Sequence, residues 1–484
     1  MARSDFVLRL PEAFEGPLYL AIARTISQAI RSGRLPERAR LPGTRSLARQ
    51  LGVQRNTVVA AYDELIAQGW LQARAKQGTF VASQAVLPTP PTRPRPRPGV
   101  PGFTLPAQRF APRRLAQGPG MLTLSGGIPD LSLVPRRALA RAYRRALEAE
   151  GHRLLGYLEA AGHPALRAAI ADMVRRYRGI PAGPENVMVT RGAQMALYLV
   201  AQVLLRKGDR VAVEDFGYPP AWRALQAAGA TLTGVAVDQQ GLDVAALTRR
   251  TRRKPVKAVY VTPHHQYPTM ALMSPWRRAA LLALAAEQGF AVIEDDYDNE
   301  VHYAGQPVLP LASDDRANVV IYVGTLSKVL APGLRLGYAV APAPVIEAMS
   351  AHRQVVDHQG DHIQERAVAE LFEDGEVQRH IRRMHKVYGQ RRAVLAEALR
   401  RELPGVLEFD LPTGGLALWA KVAPDVQVDE WAAAALARGV AVATGTDLHL
   451  SGRTQGFLRL GFAALCEDQL HLAVRTLKDS LPTN

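Results

Sequence analysis

The sequence predicts two folded parts of different class: an N-terminal helical module closed by a short β-hairpin, and a large C-terminal α/β domain on a mostly parallel sheet. Three observations carry this. Apolar residues recur at helical spacing between residues 17 and 69, with glycines at the breaks. A proline- and arginine-rich stretch, 84–119, can form neither helix nor central strand. From about residue 120 onward, strand-like apolar runs alternate with helical patterns, the signature of strands joined by crossover helices. The chain has 484 residues, 48% hydrophobic and 21% charged, enough for two or three domains of ordinary globular composition. It has no long unbroken apolar run, and its first residues lack the apolar core of a signal peptide. Neither membrane insertion nor secretion is therefore expected. A single cysteine, Cys466, excludes an intramolecular disulfide and points to a reducing cytoplasm.

In the N-terminal module, Leu18, Ile22, Ile26 and Ile30 line one helix face and Gly33 stops the run. Thr44 is placed to cap a second helix carrying Leu47, Ala48 and Leu51. Gly52-Val53 makes a turn. A third helix starts near Gln54, buries Val58, Ala61, Tyr62 and Leu65, and ends at Gly69. Residues 70–74 and 78–81 read as a two-stranded wing. Helix, helix, tight turn, helix and wing make a winged helix-turn-helix. The charge agrees. Of the net +16, residues 1–84 hold 12 Lys/Arg against 6 Asp/Glu, and residues 85–118 add six arginines and no acid. Such a localised basic excess is the electrostatic footprint of nucleic-acid binding. The start of the third helix offers Gln54, Arg55, Asn56 and Thr57, which can read base edges and bind phosphates.

The motifs Leu41-Pro42-x-x-Arg45, Gly52-Val53-x-Arg55-x-Thr57-Val58 and Gly78-Thr79-Phe80-Val81 resemble the GntR family of bacterial regulators across roughly residues 16–83. The resemblance implies that Arg45 and Arg55 contact DNA, that Thr57 lies near a phosphate, and that Gly78 lets the wing approach the minor groove. Val59 stands where the fatty-acid-responsive branch has a further arginine, which leaves the DNA sequence open. We set the domain at 12–83 and the linker at 84–119. The linker would be extended and semi-rigid, with a reach on the order of 100 Å.

The large domain, 120–484, is organised around Thr325-Leu326-Ser327-Lys328, which follows the apolar run 319–323; Arg335 lies seven positions after the lysine. A buried lysine has its pKa lowered and becomes a nucleophile toward aldehydes. This segment resembles the Schiff-base segment of fold-type I pyridoxal phosphate (PLP) enzymes, the aminotransferase superfamily. The resemblance implies PLP bound to Lys328, with Thr325, Ser327 and Arg335 on its phosphate. Further matches extend it. Gly192-Ala193-Gln194 opens a helix after a strand and suits a phosphate. Tyr218 would stack on the pyridine ring. Asp295, with Asp296 as runner-up, would hold the proton on the pyridine nitrogen, and Tyr297 would bond the phenolic oxygen. Tyr157 would reach the phosphate bound in a neighbouring subunit. Arg459 would clamp an effector carboxylate. Glycine-rich Ser125-Gly126-Gly127 would border the pocket. The adjacent His264 and His265 lack metal-ligand spacing, and no metal is expected.

Together the two halves resemble the MocR subfamily of GntR regulators. His265-Gln266-Tyr267-Pro268 carries the subfamily's form where typical aminotransferases have Asn-Pro-Thr-Gly. This implies a domain-swapped homodimer that binds double-stranded operator DNA and senses an amino acid, an amine or PLP itself. Pro220 stands where the γ-aminobutyrate-responsive branch has its effector-binding arginine, which argues against that ligand. The rival reading is a working aminotransferase with an appended DNA-binding module. A third is a PLP-storage protein that does not bind DNA.

Overall fold

The computed structural model describes residues 8–11, 14, 16–83, 104–105, 110, 118, 120–303 and 308–482. The chain divides into two compact units, Met1–Arg109 and Phe110–Asn484. Almost all of the Pro/Arg-rich stretch 84–119 lies outside the described residues.

Among its described residues the first unit has three helices and a hairpin: α1 (Leu18–Arg31), α2 (Thr44–Leu51), α3 (Arg55–Ala67), β1 (Leu71–Arg74) and β2 (Gly78–Val81). The apolar faces read from the sequence are the ones buried. Ile22, Ile26 and Ile30 of α1 meet Leu47 and Ala48 of α2 and Val58, Ala61, Tyr62 and Leu65 of α3 in one core. Gly52, at φ 64°, ends α2 in the left-handed conformation that favours glycine. One local expectation fails. Thr44 is the first residue of α2, Gly43 occupies the cap position, and no side chain caps this helix. The Thr44 hydroxyl instead lies 3.5 Å from Arg55 Nε. Gly43, not Thr44, has the extended dihedrals of a cap, at φ −61° and ψ 152°.

The second unit is built on a seven-stranded sheet. Its strands are β3 (Val187–Thr190), β4 (Arg210–Glu214), β5 (Thr231–Val235), β6 (Ala258–Val261), β7 (Ala291–Asp296), β8 (Val320–Thr325) and β9 (Gly337–Val340), with helix α4 (Ala193–Leu204) between β3 and β4. The spatial order is β3-β9-β8-β7-β6-β4-β5. Only β9 runs against its neighbours; the pairings β8-β7, β7-β6, β6-β4 and β4-β5 are parallel. β3, β6, β7 and β8 are almost wholly buried, as apolar runs covered on both faces require. A smaller antiparallel sheet follows: β10 (Leu407–Glu408), β11 (Ala417–Val422), β12 (Ala443–Thr444) and β13 (Phe457–Gly461), in the order β10-β11-β13-β12. Among the described residues, no helix is long and apolar enough to cross a membrane.

Candidate cofactor and effector site

In an open parallel sheet, ligands gather at the carboxyl ends of the strands. Here those ends carry Thr190, Glu214, Asp295 and Thr325, and beyond them lies a cavity of about 470 Å³. Ala193, Gln194, Tyr218, Asp295, Tyr297, Thr325, Ser327, Lys328, Arg335 and Arg459 all line it. These positions span some 270 residues of sequence, and the sheet brings them together.

Lys328 sits three residues past β8. Its ammonium donates to the carbonyl of Gly127 at 2.7 Å. Burial, with the nearby Arg459 charge, pushes its pKa down from 10.5 to about 8, against the opposing pull of Asp298 and Asp295. At the end of β7, Asp295 is 4% exposed. One of its oxygens accepts from the Tyr260 hydroxyl at 2.8 Å, while Oδ1 is buried with no partner. Burial pushes this carboxyl up to about 7, with Asp296 and Asp298 adding to the rise and the Tyr260 hydrogen bond opposing it. Asp296 points to the other face, as strand alternation requires. There it accepts from Tyr322 and Asn299, both at 2.8 Å. An open carboxylate oxygen facing the cavity fits a protonated ring nitrogen, and Asp295 has that oxygen.

The phosphate-type cradle lies opposite. Gly192 precedes α4 at φ 78°, and a Cβ there would come within 3.0 Å of Arg335 Nη2. The first-turn amides of a helix lack intrahelical acceptors and carry partial positive charge. Arg335, itself left-handed at φ 51°, donates to the Arg191 carbonyl at 3.1 Å. Thr325 Oγ1 accepts from the Ser327 amide at 3.1 Å, which fixes the turn into the lysine.

The remaining wall is aromatic. Tyr218 and Tyr267 meet edge to face at 5.3 Å, and Tyr297 packs on Tyr267 at 5.8 Å. Arg459, on β13 and 1% exposed, has its guanidinium 4.6 Å over the Tyr267 ring. Its Nε and Nη1 are buried without partners. A cation held this way is ready for an anionic ligand. Two predicted cofactor residues do not line the cavity: Gly192, which borders it through Ala193 and Arg335, and Tyr157, which is 89% exposed, against His358.

Sequence reasoning gave no role to Tyr260 or Glu214. Tyr260 holds Asp295. Glu214 accepts from the Thr262 hydroxyl at 2.7 Å, and Thr262 Oγ1 in turn accepts from the Tyr267 amide at 2.9 Å. Burial pushes Glu214 up to about 8. The available signal was a polar residue inside an otherwise apolar strand run.

The comparisons agree with both halves. The aminotransferase class I and II family matches residues 119–477, and the bacterial regulatory proteins of the gntR family match residues 18–81. The probable rhizopine catabolism regulatory protein MocR of Rhizobium meliloti is 31% identical over 96% of this chain and 94% of its own length. The chain belongs to the MocR subfamily of GntR-family regulators. TauR, an HTH-type transcriptional regulator of Rhodobacter capsulatus, is 35% identical over 93% of this chain and 94% of its own. Among solved structures, α-aminoadipate aminotransferase LysN of Thermus thermophilus, complexed with N-(5'-phosphopyridoxyl)-L-leucine, superposes with a TM-score of 0.70. It shares 30% identity over 75% of this chain and 92% of its own. This MocR-type regulator therefore carries an aminotransferase fold whose relatives bind PLP, and the residues lining the cavity suit that group.

In the DNA-binding unit of the MocR-type chain, Arg45, Gln54 and Arg55 are exposed at the start of α2 and α3. Gln54 takes the cap position of α3, and Thr57, partly buried, is in its first turn. Gly78 begins β2 at φ 112°, a conformation that favours glycine, with Arg40 beside it. Arg55 Nε lies 3.5 Å from Thr44 Oγ1, which brings the starts of α2 and α3 side by side.

Proposed function

We propose that this MocR-type regulator works in the cytoplasm as a domain-swapped homodimer that couples PLP chemistry to operator binding. Its domains run 12–83 and 120–484, joined by the linker 84–119. PLP is held by Lys328, and the effector is an amino acid, an amine or PLP itself. The observation that supports this most is the convergence on one cavity of a lysine with lowered pKa, a carboxylate with an unpartnered oxygen and an arginine with two unpartnered nitrogens.

Bound PLP supplies an aldehyde that condenses with amino groups and a ring that draws electrons. The chain's own residues prepare for it. With a pKa of about 8, on the order of a quarter of Lys328 is neutral at pH 7.5, against about one part in a thousand for an ordinary lysine. Only the neutral amine attacks a carbonyl. Asp295 would keep a proton on the pyridine nitrogen, and a cation there would bring its own pKa back down. Gly192, Ala193, Gln194, Thr325, Ser327 and Arg335 would hold the phosphate, with Tyr157 from a second subunit. Tyr218 would limit the tilt of the ring, and Tyr297 would bond its phenolic oxygen. Arg459 would take the effector carboxylate, its guanidinium oriented by the Tyr267 face. Effector binding favours one closure of the cavity, and that closure sets the separation of the two winged helices and the half-sites they span. Arg45, Gln54, Arg55, Thr57 and Gly78 would make the DNA contacts.

The test combines two measurements on the purified full chain. Titration with PLP should give a visible absorbance band that Lys328→Ala loses. A gel shift with the chain's own upstream DNA should change with PLP or an amino acid. A chain that stays colourless after soaking in PLP, with no bound aldehyde by mass spectrometry, would overturn the cofactor assignment. The complete Lys328, Asp295 and Arg459 set also supports the rival reading of a working aminotransferase. Multiple turnover with a panel of amino donors and keto acids would favour that rival.

A further inference from the structure

The histidine pair 264–265 gains a third member in space. The segment after β7 folds back, and His302 comes beside the pair; its backbone bridges to Gly414. One ring nitrogen from each of His264, His265 and His302 lies within 4.8 Å of the other two. The rings of His264 and His265 are 4.5 Å apart, and His302 is 6.2 Å from each, nearly parallel to His265. His264 and His265 are 2% and 3% exposed, and the Nε2 atoms of both are buried without a partner.

The surroundings of His265 are those of a ligand already oriented. His265 Nδ1 is 2.8 Å from Asp298 Oδ1, which holds the proton on Nδ1 and leaves the Nε2 lone pair available. His264 differs: its Nδ1 accepts from the Asn299 side-chain amide at 3.1 Å, so binding through Nε2 requires the ring proton to move to Nδ1, where Asp296 Oδ1 lies 3.8 Å away. Gly414 borders His265 Nε2, where any Cβ would collide with the ring. His302 and Asn299 also line a second cavity of about 330 Å³, which gives a small ion a route in.

We infer that His264, His265 and His302 form a binding site for a divalent transition-metal ion of the zinc class, separate from the cofactor cavity. Three imidazoles with orienting carboxylates suit zinc, and the fourth position stays open to water or an exogenous ligand. A tetrahedral zinc with nitrogen bonds near 2.0–2.1 Å holds its ligands about 3.4 Å apart. The present ring nitrogens lie within 4.8 Å of one another, so the set must draw in by up to about 1.4 Å to bind. The ion ties the 264–268 segment, which carries Tyr267 of the cofactor cavity wall, to the segment that follows Asp295 and Tyr297. Metal occupancy therefore stiffens one wall of the effector site.

The test uses the full chain without added PLP, so its outcome does not depend on the cofactor reading. After dialysis against a chelator, the protein is titrated with Zn²⁺ and its metal content is measured. One zinc per chain is expected, with affinity lowered at least about tenfold in His264→Ser and in His302→Gln. Circular dichroism checks that both variants fold. Absence of stoichiometric zinc in the unaltered chain, or undiminished affinity in both variants, overturns the site. X-ray absorption on the zinc-loaded unaltered chain decides independently of any variant. Three imidazole nitrogens support the site; ligation by the Cys466 sulfur or by oxygens alone overturns it.

Discussion

Replacing Lys328 by methionine should stabilise the cofactor-free protein while abolishing its use of PLP. Methionine has nearly the same length and no charge, so it fills the same space in the cavity wall. In the native chain the lysine pKa falls from 10.5 to about 8, chiefly through desolvation and then through Arg459. The sign follows from linkage. Well below pH 8 the lysine is charged in both states, and the folded protein bears the whole cost of the enclosed ammonium. At 1.36 kcal/mol per unit that cost is about 3 kcal/mol. Water in the cavity screens part of it, so a gain of about 2–3 kcal/mol is expected for Lys328→Met at pH 7. The gain should fade as pH rises from about 8 to about 10.5, where the folded lysine is already neutral. Urea unfolding followed by tryptophan fluorescence reports on the large unit, which contains Trp222, Trp276, Trp419 and Trp431. A gain flat across that pH range, or a loss of stability at pH 7, would refute the assignment of Lys328 as an enclosed, destabilised ammonium.

Three further outcomes are expected. Arg55→Ala should weaken operator binding by about 1–3 kcal/mol in a gel-shift titration and leave cofactor spectra unchanged; equal DNA affinity would count against the start of α3 as the reading surface. Arg459→Ala should abolish the response to a carboxylate effector, read as the loss of its absorbance change, while PLP still binds. Gly192→Val should lower PLP affinity by at least about tenfold in an absorbance titration, because a β-branched residue at φ 78° is strained and its Cβ crowds the Arg335 guanidinium.

Much of the architecture could be read along the chain because local pattern and burial agree there. The periodic Ile22, Ile26 and Ile30 and the third-helix set Val58, Ala61, Tyr62 and Leu65 are the core of the small unit because each face has a single place to be buried. The segment around Lys328 was legible because a strand end, small hydroxyls and an arginine at fixed spacing amount to one local structure. Thr44 was misread for an equally local reason: a cap depends on the dihedrals of the residue before the helix, and Gly43 has them.

What sequence alone determined, then, is the chemistry each segment could offer: a basic recognition helix, a glycine before a helix, an acidic strand end, a lysine in a turn. Which of two adjacent aspartates faces the cavity was decided by the pleat of a strand whose neighbours fix its register, so Asp295 turns inward and Asp296 meets Tyr322. The partnership of Tyr260 with Asp295 and the meeting of His302 with His264 and His265 depend on which strands and loops lie side by side. That is set by the packing of the whole sheet, since side chains tens of residues apart interact only after long-range burial has brought their backbones together.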